Sequence, residues 1–180
     1  MAQQVFHTTT DELSSILPML AVGDRVYLSG TVYTARDAAH KRIFQLLDAG
    51  AELPFPMENS IVYYAGPTPA KNGMAVGSCG PTTSSRMDAF APRLLDLGML
   101  AMIGKGDRSQ EVIDAIVKNG AIYLCAVGGA GALIAKCISA ADEIAFQDLG
   151  CESVKKLTIS ELPLIVGIDS RGNSIFERNN

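Results

Sequence analysis

Between residues 99 and 137 the chain twice passes from a short apolar run to a helical pattern. "MLAMIGKG" (99–106) reads as a strand entering a glycine-rich loop, and "SQEVIDAIVKNG" (109–120) as a helix opened by Ser109. Val112, Ile113, Ile116 and Val117 form its apolar face. "AIYLCAVGG" (121–129) is a second strand and "AGALIAKC" (130–137) a second, short helix. Alternation of this kind confines the chain to an α/β arrangement in layers around one core.

The flanks are richer in strand. "DRVYLSGTVY" (24–33) sets Val26, Leu28 and Val32 against Arg25, Tyr27 and Ser29, the period of a half-buried strand. "DELSSILPML" (11–20) is a helical turn broken at Pro18, and "ARDAAHKRIFQLLDAG" (35–50) a helix with Ala39, Ile43, Leu46 and Leu47 inward and Gly50 as its stop. "SIVYYAG" (60–66) and "AVGSCG" (75–80) are expected strands around the turn "PTPAKNG" (67–73); a helix is expected from Ser85 to about Leu97, interrupted near Pro92. "DEIAFQD" (142–148), "VKKLTI" (154–159), "LPLIVGID" (162–169) and "SIFE" (174–177) read as strands, with "SRGN" (170–173) a hairpin turn and "RNN" (178–180) a loose tail. No linker or repeat divides the chain, so one domain over residues 1–180 is expected.

Composition narrows the function classes. Apolar residues make up 48% and charged residues 19%, the balance of a folded globular chain. A net charge of −4 argues against a sequence-independent grip on nucleic acid, which needs a basic face. The opening residues lack the basic and apolar regions of a secretory signal, and no apolar run reaches membrane-spanning length, so a cytoplasmic location is expected. Cys79, Cys125, Cys137 and Cys151 form no C-x-x-C pair and have no histidine at ligand spacing; free thiols are expected, and no metal site in this chain.

Two arginines stand where a cation is misplaced. In Thr34-Ala35-Arg36-Asp37 and Ser85-Arg86-Met87-Asp88 a capping pattern puts arginine into the first turn of a helix, beside backbone N–H groups that already make the field positive. Asp37 and Asp88 can complete the caps and offset the charge. Alternatively, each arginine presents a bidentate fork to an anion that the helix start also favours. Two such sites suit a small molecule with two carboxylates.

Neighbouring residues fit that idea. Thr82 to Ser85 are consecutive hydroxyls beside Arg86; Ser84 and Ser85 read as capping residues, while Thr82 and Thr83 lie farther from the helix than a cap requires. Lys105 stands between two glycines. His40, four residues after Arg36, shares its helix face and either orients a neighbour or sits as a satisfied core histidine; His7 reads as structural noise near a loose terminus. "GGAGAL" (128–133) follows a strand, but G-x-G-x-x-G fails in either register, and close strand–helix packing explains the glycines.

The strings "TARDAAHKR", "AGP", "GPTTSSRMD", "GKGDRSQEV" and the "GG" after "AIYLCAV", in this order and spacing, resemble the β subunit of class I iron–sulfur fumarate hydratases, equivalent to the C-terminal domain of the single-chain enzymes, a family that also holds L-tartrate dehydratase β subunits. The resemblance runs from about Val22 to Phe176. It implies a swivelling β/β/α fold and a hydro-lyase interconverting fumarate and L-malate, active only with an α subunit whose three cysteines hold a 4Fe-4S cluster. It also implies that Arg36 and Arg86 clamp substrate carboxylates, that Lys105 and Thr83 contact the same ligand and that Thr82 is the catalytic base; Asp37, His40 and Asp88 are expected in supporting roles from their places beside the two arginines. Asp107 departs from the asparagine common in the family, and "GGAGA" from its Gly-Gly-Pro form. The rival readings are an L-tartrate dehydratase β subunit and a non-catalytic domain that binds dicarboxylates; a binder has no need of a proton-transfer group at Thr82. The resemblance further implies a hetero-oligomer, such as a heterotetramer.

Overall fold

Short apolar strands joined through helices pair in parallel, because each helix carries the chain back to the edge where the previous strand began. The computed structural model, which describes residues 3–71 and 73–176, follows that rule. Its elements are β1 (Val5–Thr9), α1 (Leu13–Ile16), β2 (Arg25–Thr34), α2 (Asp37–Asp48), β3 (Ile61–Tyr63), α3 (Ala91–Asp96), β4 (Ala101–Gly104), α4 (Gln110–Asn119), β5 (Ile122–Cys125), α5 (Gly131–Lys136), β6 (Ile138–Ala145) and β7 (Val154–Ile168). Short 3-10 helices lie at Leu17–Met19, Ser84–Met87 and Gln147–Glu152.

Strands β2, β3, β4 and β5 are parallel neighbours. Strand β7 runs antiparallel to both β5 and β2, closing five strands into a barrel-like ring; β1 extends β2 in parallel and β6 extends β7 antiparallel. The domain is therefore of mixed α/β class around a closed sheet.

Strand periodicity sorts the core into two regions. Ile61, Tyr63, Ala101, Ile103, Ile122 and Leu124 join Val26, Leu28, Val32, Leu157 and Leu164 in one cluster. The alternate residues Val62, Tyr64, Met102 and Tyr123 face a second cluster formed with Ala39 and Ile43 of α2, Leu94 and Leu95 of α3, and Val112 and Ile116 of α4. Strands buried on both faces read as continuous apolar runs, the pattern seen in the middle of the sequence. Among the described residues no helix is long and apolar enough to cross a membrane.

Several local expectations are corrected. The segment 75–80 is not a strand: Gly77 and Ser78 bond back to Thr68 (3.1 and 2.9 Å), so its backbone groups are spent within one loop. The runs 154–159 and 162–169 are a single strand, β7, bent where Glu161 takes φ +50° and the register against β2 slips between Leu28 and Gly30. A bulge absorbs the break that Pro163 would otherwise force. Strand β6 begins at Ile138, earlier than expected. The "SRGN" turn is present, but Ser174 makes only an isolated bridge to Ile168, and no strand follows through Phe176; Glu177 and the tail "RNN" lie outside the described residues. Near the start, "VFHTT" forms the unanticipated β1, and His7 in it stacks on Tyr27 (4.8 Å) and pairs with Glu161 (2.6 Å).

Candidate functional site

Parallel strands end on a common edge, and loops beyond their carboxyl ends are where α/β folds build sites. Arg36 lies two residues past β2, Gly66 three past β3, Lys105 directly after β4 and Gly128 three past β5. The segment 81–84 crosses this edge. Pro81 bridges Ala65, the Thr82 N–H donates to the Tyr64 carbonyl (2.7 Å), Thr83 bridges Lys105, and the Ser84 N–H donates to the Lys105 carbonyl (2.9 Å). Thr82, Thr83 and Lys105 are thereby brought together over β3 and β4.

The two arginines meet as well, though not as capping patterns foretell. Arg36 is the N-cap of α2 rather than its second helical residue. Arg86 sits in the last turn of the 3-10 helix Ser84–Met87, and the helix expected over 85–97 is split, α3 starting at Ala91 with Pro92 in its first turn. The anion beside Arg86 comes from the other motif: Asp37 Oδ1 is 2.9 Å from Arg86 Nε, while Asp37 Oδ2 is 3.7 Å from Arg36 Nε. One carboxylate thus spaces both guanidinium groups.

Arg36 is also 3.5 Å from Glu152 Oε1, whose other oxygen accepts the Ala38 N–H at the start of α2 (3.0 Å). These are ion-pair distances; Arg36 Nε and Asp37 Oδ2 are buried without a hydrogen-bond partner among the described residues. Buried donors and acceptors left over in this way call for an explanation, and a ligand that rearranges the pairing is one. The Arg86 side chain is 51% exposed, and among the described residues its two Nη groups have no protein partner.

Asp88, expected to cap and to offset Arg86, does neither. Its carboxylate accepts Arg108 Nε and the Ser109 N–H, both at 2.7 Å. The 3-10 turn provides no α-helical N3 amide for a capping box, so the carboxylate is free to reach across. Arg108 is fully buried, stacked between the rings of Tyr64 and Tyr123 (5.3 and 5.0 Å). Neither Arg108 nor Glu152 is legible as part of the site from local sequence, since each acts on a motif far away in the chain.

His40 is fully buried. Its Nδ1 lies 2.9 Å from the Arg36 carbonyl, which can only accept, so Nδ1 carries the proton. Burial pushes its pKa down to about 4, so it is neutral near pH 7 and pins the Arg36 backbone rather than carrying a proton. The aliphatic stem of Lys105 passes close to Gly128, where an added Cβ would sit 3.5 Å from Cδ. No carboxylate among the described residues pairs with the Lys105 ammonium; Asp107 turns instead to the Arg108 N–H (2.7 Å). The Thr82 hydroxyl makes no hydrogen bond among the described residues, and Thr83 is exposed.

Two of the four thiols are poorly disposed to ligate an iron–sulfur cluster. Burial pushes Cys79 up to about 12 and Cys125 up to about 11, away from the thiolate form that binds metal. Among the described residues no group of three or more His, Cys, Asp or Glu could hold a metal ion. A cleft of about 790 Å³ lined by Gln4, Asp24, Asp169 and Arg171 contains none of the clamp residues.

A family profile described as "Fumarase C-terminus" matches residues 2–179. The chain is 39% identical over 170 residues to "Fumarate hydratase 2" of Leishmania major, covering 93% of this chain and 30% of that protein. It is 37% identical over 169 residues to "Fumarate hydratase class I, anaerobic" of Escherichia coli K12, covering 93% and 31%. It is 42% identical over 167 residues to "Putative L(+)-tartrate dehydratase subunit beta" of Methanocaldococcus jannaschii, covering 89% and 86%. The chain thus spans about 30% of the length of those two fumarate hydratases.

Proposed function

The chain belongs to the Fumarase C-terminus family, and on that footing we propose that it is the β subunit of a hydro-lyase interconverting fumarate and L-malate, active together with an α subunit. The observation that carries this reading is the pair of guanidinium groups spaced by Asp37 at the edge where Thr82 and Lys105 also lie. Two fixed forks match the two carboxylates of a C4 dicarboxylate. In this reading the domain is of the swivelling β/β/α type, and it closes a site whose other wall is the α subunit. The 4Fe-4S cluster would be held by that subunit. A cytoplasmic location is part of the proposal.

Each residue then has a role. Arg36 and Arg86 bind the substrate carboxylates; Lys105 and Thr83 contact the same ligand. Removal of the C3 proton of malate builds negative charge onto the adjacent carboxylate. Fixed cations there favour the transition state, and one such donor is typically worth about 3–4 kcal/mol. Thr82 takes the proton. A threonine hydroxyl is too weak a base unaided, so it needs a carboxylate from the α subunit or strongly cationic surroundings, and Arg36, Arg86 and Lys105 supply the latter. Asp37 orients the two forks, and His40 fixes the backbone of one of them.

The L-tartrate reading stays second. It is favoured by the Methanocaldococcus relative, which is of nearly the same length and 42% identical. Both substrates are dicarboxylates, so the clamp serves either.

Arg86→Lys tests the clamp. Lysine keeps the charge and loses the fork, including the Nε that faces Asp37. The variant complex is expected to lose at least about tenfold in kcat/KM, about 1.4 kcal/mol of transition-state binding. Its melting temperature should barely move, because the side chain is half exposed. Unimpaired kcat/KM would move the clamp elsewhere.

A further inference from the structure

Ser84 and Tyr123 are fully buried, yet both end in hydroxyls directed at the loop that carries Lys105. Lys105 N lies 3.0 Å from Ser84 Oγ, Ser84 Oγ 2.9 Å from Tyr123 Oη, and Tyr123 Oη 2.9 Å from the Gly106 carbonyl oxygen. Only one proton order satisfies all three bonds. The Gly106 carbonyl can only accept, so Tyr123 spends its one proton there. Tyr123 must then accept from Ser84, and Ser84 accepts the Lys105 N–H. The relay starts and ends on the two residues 105 and 106 and so fixes their turn from beneath.

Ser84 is bound to Lys105 a second time, through its own N–H to the Lys105 carbonyl (2.9 Å). This sets the register of Thr82 and Thr83 beside Lys105. The contact needs Gly104, where an added Cβ would stand 1.9 Å from Ser84 Oγ. Tyr123 also stacks on the Arg108 guanidinium, which holds Asp88 at the far end of the same crossing segment. The segment from Thr82 to Asp88 and the loop from Lys105 to Ser109 are therefore laced at both ends, with Tyr123 at the centre.

We propose that Ser84 and Tyr123 are positioning residues for the hydration reaction, whose hydroxyl relay holds Lys105 in register with Thr82 and Thr83. The proposal rests on the reading of Thr82 and Lys105 given above. Stability alone does not call for the relay. A buried hydrogen bond contributes only modestly net.

The test uses the α–β complex with Ser84→Ala, Tyr123→Phe and the double variant. Tyr123→Phe keeps the ring over Arg108 and deletes only the hydroxyl. Expected is a fall in kcat of tenfold or more in each single variant, with KM for malate changed less than threefold. The double variant should have a kcat as low as that of the slower single variant rather than the product of the two losses, because one relay serves both residues. Hydrogen–deuterium exchange in the same complexes should be faster in the peptide 101–109 of every variant. Losses of kcat that multiply in the double variant, or kcat within twofold of wild type throughout, would overturn the proposal and leave the relay a packing feature. Should the wild-type complex hydrate no dicarboxylate, the reading of the site fails instead; the exchange measurement still decides the relay, and unchanged exchange would sink it.

Discussion

Thr82→Val is expected to lower kcat of the α–β complex by about 10²–10⁴, the usual contribution of a positioned general base. Valine keeps the β-branched shape, and the Thr82 backbone bond to Tyr64 does not depend on the side chain. The hydroxyl itself has no hydrogen bond among the described residues, so its removal breaks no structural contact. KM for malate should stay within a few-fold, and the melting temperature within about 2 °C, since about 0.5 kcal/mol is what substitutions away from structural features cost. An interaction made mainly in the transition state lowers kcat and kcat/KM together, whereas loss of a carboxylate contact at Arg36 should raise KM strongly. Steady-state kinetics with a melt on the same samples checks this. A lowered melting point with normal kcat would make Thr82 structural.

Asp88→Ala should have the opposite signature, a large loss of stability. It leaves the Arg108 guanidinium, which has no exposed surface, without its carboxylate, and it also frees the Ser109 N–H at the start of α4. Breaking a buried pair from one side costs about 3–5 kcal/mol. For a domain of this size that corresponds to a fall of roughly 6–20 °C in melting temperature. Asp88→Asn should recover only part of this loss, because the amide oxygen accepts one of the two bonds while the amide NH2 meets the other donor and the charge facing Arg108 is gone. A thermal melt of each variant decides the matter; a shift below about 2 °C for Asp88→Ala would mean that Arg108 finds another partner or water.

These two residues show what was legible in the sequence and what was not. Strand and helix periods around β4, α4 and β5 were plain because both faces of each strand are buried, and Gly120 ends α4 with φ +60° as a glycine stop should. The anomaly of Arg36 and Arg86 was legible as charge in the wrong place. The partner was not: Asp37 reaches Arg86 across 49 residues, and no local pattern encodes that distance. Asp88 matched a capping motif in sequence yet serves Arg108, because Pro92 and the 3-10 turn displace the helix start. Ser84 read as an ordinary cap and is instead buried against Gly104. Strand β1 was missed because "VFHTT" offers half-exposed alternation with no strong apolar face, and its pairing with β2 comes from tertiary context. What the sequence hid was, in each case, a contact between loops distant in the chain.

On the proposed reading, this chain completes a dicarboxylate hydro-lyase site with an α subunit. The direct measurement is anaerobic co-production of the two subunits, followed by assay of the complex and of the isolated chain with L-malate, fumarate and L-tartrate. The complex is expected to interconvert malate and fumarate, and the isolated chain to be colourless and inactive. Full turnover by the isolated chain, or a complex that dehydrates tartrate while leaving malate untouched, would contradict it.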